Sequence, residues 1–264
     1  MTRLSLILPV NLRKICIVGI LAILSGGCII ESTPKEQETV VSTLGQLLED
    51  PSADVRRTAA LSLGKISHPD GIPPLINALK NEDPQVREYS AWALGQMGPD
   101  LSDEAVNELI NALGDEVPAV KHAVASALGQ VEPDTDRVQL LKEVLAISEV
   151  ETRKAVIQVL TAFDTPSAYE VILPSLKDPD PRVRQAAVSG LGELADRRAV
   201  PLLRKRLLKD PDVGVRTEAA FRLGKLGDTA DVSWLEKARK SDSAATVQIW
   251  AQWAIEQIEP AAVN

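Results

Sequence analysis

Asp50-Pro51-Ser52-Ala53-Asp54-Val55-Arg56-Arg57-Thr58-Ala59-Ala60-Leu61-Ser62-Leu63-Gly64 is the stretch from which the rest of the chain can be read, because its outline returns at a fixed interval. Equivalent segments begin at Val86-Arg87, Val120-Lys121, Thr152-Arg153, Val183-Arg184, Val215-Arg216 and Val247-Gln248, in steps of 31, 34, 32, 31, 32 and 32 residues. Eight residues after each start stands Leu63, Leu94, Leu128, Leu160, Leu191, Leu223 or Ile255, followed by Gly at 64, 95, 129, 192 and 224. Seven residues before each start stands Leu48, Leu79, Leu113, Leu145, Leu176 or Leu208, and finally Lys240. A period this regular is the signature of stacked repeat units.

Within a unit the period is helical. Positions 0, 4, 8 and 11 from the Val, as in Val183, Ala187, Leu191 and Leu194, form one stripe of a 3.6-residue helix. The preceding halves, such as 73–80 and 106–113, read as a second, shorter amphipathic helix. Asp50-Pro51, Asp83-Pro84, Val117-Pro118, Asp178-Pro179-Asp180-Pro181 and Asp210-Pro211 lie between the halves. Asp caps free amides and Pro fits only a first helical turn, so these pairs are expected to start the second helix of each unit. The expected architecture is an all-α solenoid of about seven hairpins over 36–259, in units 36–66, 67–98, 99–131, 132–163, 164–195, 196–227 and 228–259, with a tail at 260–264. Glu236, Lys237, Arg239 and Lys240 make the last unit's first helix polar, as a terminal cap must be.

The pattern D-P-x-x-x-V-R-x-x-A-A-x-x-L-G resembles the HEAT-repeat family, and in particular its short phycobilin-lyase-type branch. The resemblance implies a ladder of charges between repeats, made by an Asp in the turn and a base six residues later. Asp50 with Arg56, Asp178 with Arg184 and Asp210 with Arg216 fit it. Asn81 with Arg87 and Asp115 with Lys121 are weaker versions, Asp242 faces Gln248, and Ile147 stands where the fourth unit's Asp should be. The ladder is therefore expected to be weakest at 145–165, where Thr161 also replaces the Gly, with a change of curvature there.

The first thirty residues are of another kind. Arg13 and Lys14 precede a charge-free run from Ile15 to Ile30, the order of an export signal. Sixteen residues of helix span about 24 Å against roughly 30 Å of hydrocarbon, too short for a comfortable crossing. The run contains Leu24-Ser25-Gly26-Gly27-Cys28, which resembles a bacterial lipobox with its Leu four residues before the Cys. The reading is a lipoprotein-type signal at 1–28, lipidation at Cys28 and a tether at 29–35. An ordinary cleaved signal or an uncleaved anchor stays open. Ile29 and Ile30, with no Asp after the Cys, point to the outer membrane or periplasmic face of a bacterial envelope rather than the cytoplasm.

Composition narrows the chemistry. The two cysteines, Cys16 and Cys28, leave the body without a disulfide framework or a Cys-ligated metal. A formal net charge of −8 argues against nucleic acid, whose binding draws on Lys and Arg. HEAT-class deoxyhypusine hydroxylases imply a di-iron site held by His-Glu pairs, whereas His68 is followed by Pro69 and His122 by Ala123. No metal or cofactor is expected, and the chain is expected not to be an enzyme.

Rotation by 100° per residue puts positions 2 and 6 opposite the core stripe, on the concave face. They are Arg57, Glu88, His122, Lys154, Gln185 and Thr217, with Trp92, Ser126, Gln158, Ser189, Phe221 and Trp253. Aromatic residues on a polar floor suit a protein or peptide partner, although the rings could equally seal neighbouring helices. The expected function is an envelope-anchored protein-interaction scaffold. The alternative is a lyase-type accessory enzyme or chaperone-like protein with a small-molecule pocket near the fourth unit, and a third possibility is a purely structural spacer.

Overall fold

A computed structural model of the chain describes residues 34–259. The signal at 1–28 with its Cys28, the tether up to residue 33 and the tail at 260–264 lie outside the described residues.

Fourteen α-helices and no strand occur among the described residues. They pair as seven hairpins: α1 (Pro34–Leu47) with α2 (Ala53–Ile66), α3 (Ile72–Ala78) with α4 (Pro84–Gln96), α5 (Asp103–Ala112) with α6 (Pro118–Leu128), α7 (Thr135–Ile147) with α8 (Val150–Phe163), α9 (Pro166–Ile172) with α10 (Pro181–Glu193), α11 (Val200–Lys209) with α12 (Val213–Leu226), and α13 (Val232–Ser241) with α14 (Ala245–Ile258). The expectation of an all-α solenoid holds. Pro34 opens α1, so residues 34 and 35 belong to the first helix and not to a tether ending at 35, since proline is well placed in a first turn.

Successive second helices pack along one another, while successive first helices touch sparsely. The second-helix layer is therefore the tighter, inner wall. This double duty widens the buried face beyond the stripe at 0, 4, 8 and 11. Positions 5 and 7, as in Ala91 and Ala93 or Ala125 and Ala127, are also buried. The first helices contribute Leu75, Leu109, Leu141, Ile172, Leu203 and Leu235 to the core, each worth about 1.5–3 kcal/mol of apolar burial.

The recurring Gly sits where two second helices come closest. A Cβ on Gly64 would lie 2.5 Å from Trp92 Cζ3 and 2.9 Å from Ala93 Cα, and one on Gly95 would lie 2.9 Å from Ala127 Cα. At Gly64, Gly95, Gly192 and Gly224 position 9 of one helix thus meets position 7 of the next, where one of the two must be small, while Gly129 meets Ala162 at position 10. Where position 9 becomes Thr161, position 7 becomes Gly190, whose added Cβ would stand 2.4 Å from Thr161 Oγ1. These glycines serve close approach. The turn after the second helix falls at position 12, and in three units a non-glycine residue makes it with positive φ: Ser67 at 51°, Asp164 at 46° and Ala195 at 53°.

Asp-Pro pairs have two uses, not one. Asp83 and Asp180 cap α4 and α10, with the following Pro in the first turn. Asp50, Asp178 and Asp210 stand two residues before the caps, which are Ser52, Asp180 and Asp212. Each of these earlier carboxylates accepts from the amide two residues on, at 2.8, 2.9 and 3.0 Å, and those of Asp178 and Asp210 also face the preceding hairpin.

That placement sets the ladder. Arg184 Nη1 donates to Asp178 O of its own turn at 3.0 Å, while its Nε and Nη2 donate to the Asp210 carboxylate of the next unit at 3.0 and 2.9 Å. Arg87 does the same to Asn81 O and Asp115, and Arg216 to Asp210 O and Asp242. Arg56 donates to Asp50 O at 3.0 Å and reaches forward to Glu82 instead of the uncharged Asn81. The fourth unit's own base is fully engaged: Arg153 donates to Ser148 O and, through Nε and Nη2, to the two oxygens of the Asp178 carboxylate, all at 2.8 Å. The weaker rung is the one that reaches into the fourth unit's turn, within the expected 145–165, because Ile147 stands where its acid should be. Lys121 there offers a single ammonium to exposed Glu149 and, at 3.4 Å, to Thr152 Oγ1, and the α6–α8 packing is the sparsest between second helices.

Candidate functional site

The twelve concave-face residues all lie on second helices, and none is buried. They do not form one site. In the first three units, Leu61 of α2, Glu88, Tyr89, Trp92 and Gln96 of α4, and His122, Ala123, Ser126 and Gln130 of α6 and its C-terminal end line an open groove of about 750 Å3. The sequence reading named Glu88, Trp92, His122 and Ser126 among these. It missed Tyr89, Gln96 and Gln130, at positions 3 and 10, although 100° per residue places both positions beside 2 and 6 on the same arc. The groove lies against units one to three and not at the fourth unit, where the alternative, lyase-type reading put a small-molecule pocket.

Trp92 in this groove and Arg57 beyond its lining are structurally committed. Trp92 leans over Gly64 of the preceding helix, so it seals the α2–α4 seam with one edge while the residue as a whole remains 36% exposed. Arg57, at the same position as Glu88 one unit earlier, donates to Asp83 across the seam and to Asp54 Oδ1 at 3.0 Å. The Arg57 guanidinium, helped by the amides of Val86 and Gln85, holds the Asp83 carboxyl down at about 2. Arg57 is therefore a strut between units.

Further along, Lys154 is paired with Glu151 at 2.8 Å, and Ser189 Oγ accepts from Arg222 Nη2 at 2.6 Å. Gln158 and Gln185 are exposed, and Thr217 is half-buried. At the last two units Phe221 stacks on Trp253, with ring centres 5.3 Å apart, and Trp250 meets both edge-on at 5.4 Å. Trp253 covers Gly224 as Trp92 covers Gly64, and Lys225 Nζ stands 5.6 Å from its ring centre. This trio mainly closes the end of the array, so Phe221 and Trp253 are brought together with each other and not with Trp92.

The donor set does not fit a di-iron centre. Among the described residues no group of three or more His, Cys, Asp and Glu is placed to hold a metal ion. His68 Nδ1 accepts from the Asp70 amide at 3.3 Å in the loop before α3, and His122 stands on α6 in the next unit. Nor is any helix among the described residues long and apolar enough to cross a membrane.

The family described as HEAT repeats matches residues 41–105, 72–161, 148–212 and 169–256. A deoxyhypusine hydroxylase of Aspergillus clavatus is 45% identical over 60 residues, 22% of this chain and 18% of that protein. One from Phaeosphaeria nodorum is 39% identical over 82 residues, 29% of this chain and 24% of that protein. The chain thus matches less than a quarter of these relatives' length. Among solved structures, importin beta aligns with a TM-score of 0.58 at 14% identity, over 85% of this chain and 36% of that one. The CpcE–CpcF complex of phycocyanin lyase from Nostoc sp. PCC7120 aligns with a TM-score of 0.47 at 23% identity, over 83% and 94%. These relatives correct the expectation that the chain is not an enzyme: both curated matches are enzymes, so the repeat pattern that suggested a passive array also occurs within catalytic proteins.

Proposed function

The chain belongs to the HEAT-repeat family, and from that premise we propose that it is a binding scaffold held at the bacterial cell envelope by a lipid on Cys28, with the groove along α2, α4 and α6 as its recognition surface. The observation that carries the scaffold is the open groove itself, whose polar floor and half-exposed Trp92 are carried by helices locked together by the ladder. A surface on rigid elements costs little ordering entropy on binding, and an aromatic side chain supplies contact area with few torsions to freeze. Support for the anchor comes from the sequence: Arg13-Lys14, the charge-free run and the small residues before Cys28.

The test is affinity capture from detergent-solubilised native membranes, with the full-length chain beside Cys28→Ala and Trp92→Ala. Membrane partition lost in Cys28→Ala, with one partner protein retained by the wild type and lost in Trp92→Ala, is the expected result. Soluble behaviour of the wild type and the Cys28→Ala variant alike removes the anchor. A partner retained undiminished by Trp92→Ala removes the groove.

A second reading is favoured by the enzymes among the relatives: an accessory enzyme or chaperone-like protein whose groove receives a protein-bound small molecule. Absorption spectra and mass spectrometry of the chain purified from its native membranes separate the two, since only the second reading calls for a carried small molecule.

A further inference from the structure

We propose that the groove along α2, α4 and α6 takes the positively charged side chain of an extended basic peptide, with Glu88 as its ion partner and Trp92 and Tyr89 as its aromatic wall. The proposal rests on the reading of this groove as the recognition surface and names the chemistry of its occupant.

Glu88 is the observation that points to a ligand. Second helices carry three half-buried glutamates: Glu151 is paired with Lys154 and Arg182, Glu218 with Arg222, and Glu88 has neither an ion pair nor a hydrogen bond among the described residues. A carboxylate partly withdrawn from water loses hydration that a cation restores, and the pairing of the other two half-buried glutamates shows how this fold ordinarily supplies one. Around Glu88 no such cation is on offer. Among the described residues lining the groove none is Lys or Arg. On either side along the inner face, Arg57 is held by Asp83 and Asp54, and Lys154 by Glu151.

The rest of the lining suits the same guest. Tyr89 follows Glu88 and Trp92 lies one turn on, so a cation at the carboxylate also has ring faces within reach, an arrangement that attracts ammonium and guanidinium groups. Ser126 of α6 and Gln130 just past its end offer hydrogen-bonding groups to a peptide backbone. The formal net charge of −8 draws cationic segments toward the chain and disfavours a second copy as occupant.

The experiment is fluorescence anisotropy on the full-length, detergent-solubilised protein. The probes are a fluorescein-labelled decapeptide of alternating Leu and Lys, and the same peptide with Gln or Glu replacing each Lys. The Lys peptide is expected to bind about tenfold or more tighter than the Gln peptide, and the Glu peptide to be excluded. Glu88→Gln should remove most of that preference, whereas Glu104→Gln, the same charge change at an exposed site on α5, should leave it intact. Trp92→Ala should weaken all binding. Glu88→Gln removes no hydrogen bond or ion pair among the described residues, and circular dichroism of each variant separates misfolding from lost recognition. Equal affinity for Lys and Gln peptides, still dependent on Trp92, overturns the cation site and leaves the scaffold groove standing. Lys-peptide binding indifferent to Glu88 and Trp92 alike overturns both. Loss of the preference in Glu104→Gln to the same degree as in Glu88→Gln reduces it to bulk charge and also overturns the cation site.

Discussion

Replacing Asp210 by Ala should be among the most damaging single changes in the array, and the structure says why. The Asp210 side chain is 0% exposed and accepts four hydrogen bonds, from Arg184 Nε and Nη2 at 3.0 and 2.9 Å, Arg206 Nη1 at 3.1 Å and the Asp212 amide at 3.0 Å. Its removal leaves the Arg184 guanidinium in the α10–α12 junction with only the Asp178 and Pro179 carbonyls on Nη1. Stranding a buried charge in this way costs about 3–5 kcal/mol, a large part of the stability of an ordinary domain. The contrasting variant is Glu82→Ala at the first junction. Glu82 fills the equivalent place opposite Arg56, but its side chain is 84% exposed, so water replaces it at a cost of about 1 kcal/mol or less. Urea unfolding followed by far-UV circular dichroism measures both. Hydrogen exchange shows where protection is lost, and for Asp210→Ala that should be α10, α12 and α14, because a quasi-one-dimensional array separates at its broken junction. If Asp210→Ala costs no more than Glu82→Ala, burial does not govern the strength of the rungs and the ladder reasoning fails.

Other outcomes follow from the same geometry. Gly64→Val forces branched carbons into Trp92 and Ala93 and should cost at least about 2 kcal/mol, while Gly114→Ala, with only Asn111 O at 3.4 Å, should be neutral or better by thermal melting. Ala195→Gly relieves a left-handed residue and should stabilise by about 1 kcal/mol, and an unchanged melting temperature would count against strain at that turn. Stability should be level above pH 5 and fall as pH drops from about 4 toward 2. Arg57 holds Asp83 down at about 2; Arg216 lowers Asp242; and at Asp210 burial pushes the carboxyl up but Arg184 and the Asp212 amide outweigh it. Each folded carboxyl binds its proton at lower pH than the unfolded one, so the stabilisation is present above the ordinary carboxylate range and is lost below it. Urea midpoints against pH check this, and a midpoint that rises on acidification would contradict it.

How much was legible in advance depended on range. The 32-residue period, the helix-turn-helix unit and the all-α class come from side chains within one hairpin, whose spacing and caps are local properties of the chain. Positions 2 and 6 were readable as an unburied face for the same reason, since helix rotation is fixed by the backbone. What tertiary structure alone decided is every term that joins two units. It showed how the rung at Ile147 is patched, with Lys121 reaching forward to Glu149 and Thr152 where the arginines bond backward to their own turn and forward to the next unit. It showed that the recurring Gly meets the following helix, with Gly190 compensating for Thr161, a pairing between residues 29 positions apart. It also divided one presumed concave surface into a groove around Glu88 and Trp92 and a sealed aromatic end at Phe221 and Trp253. A periodic sequence states the repeat unit many times over, but the contacts between units depend on which two side chains meet across a seam, and that is set only when the hairpins stack.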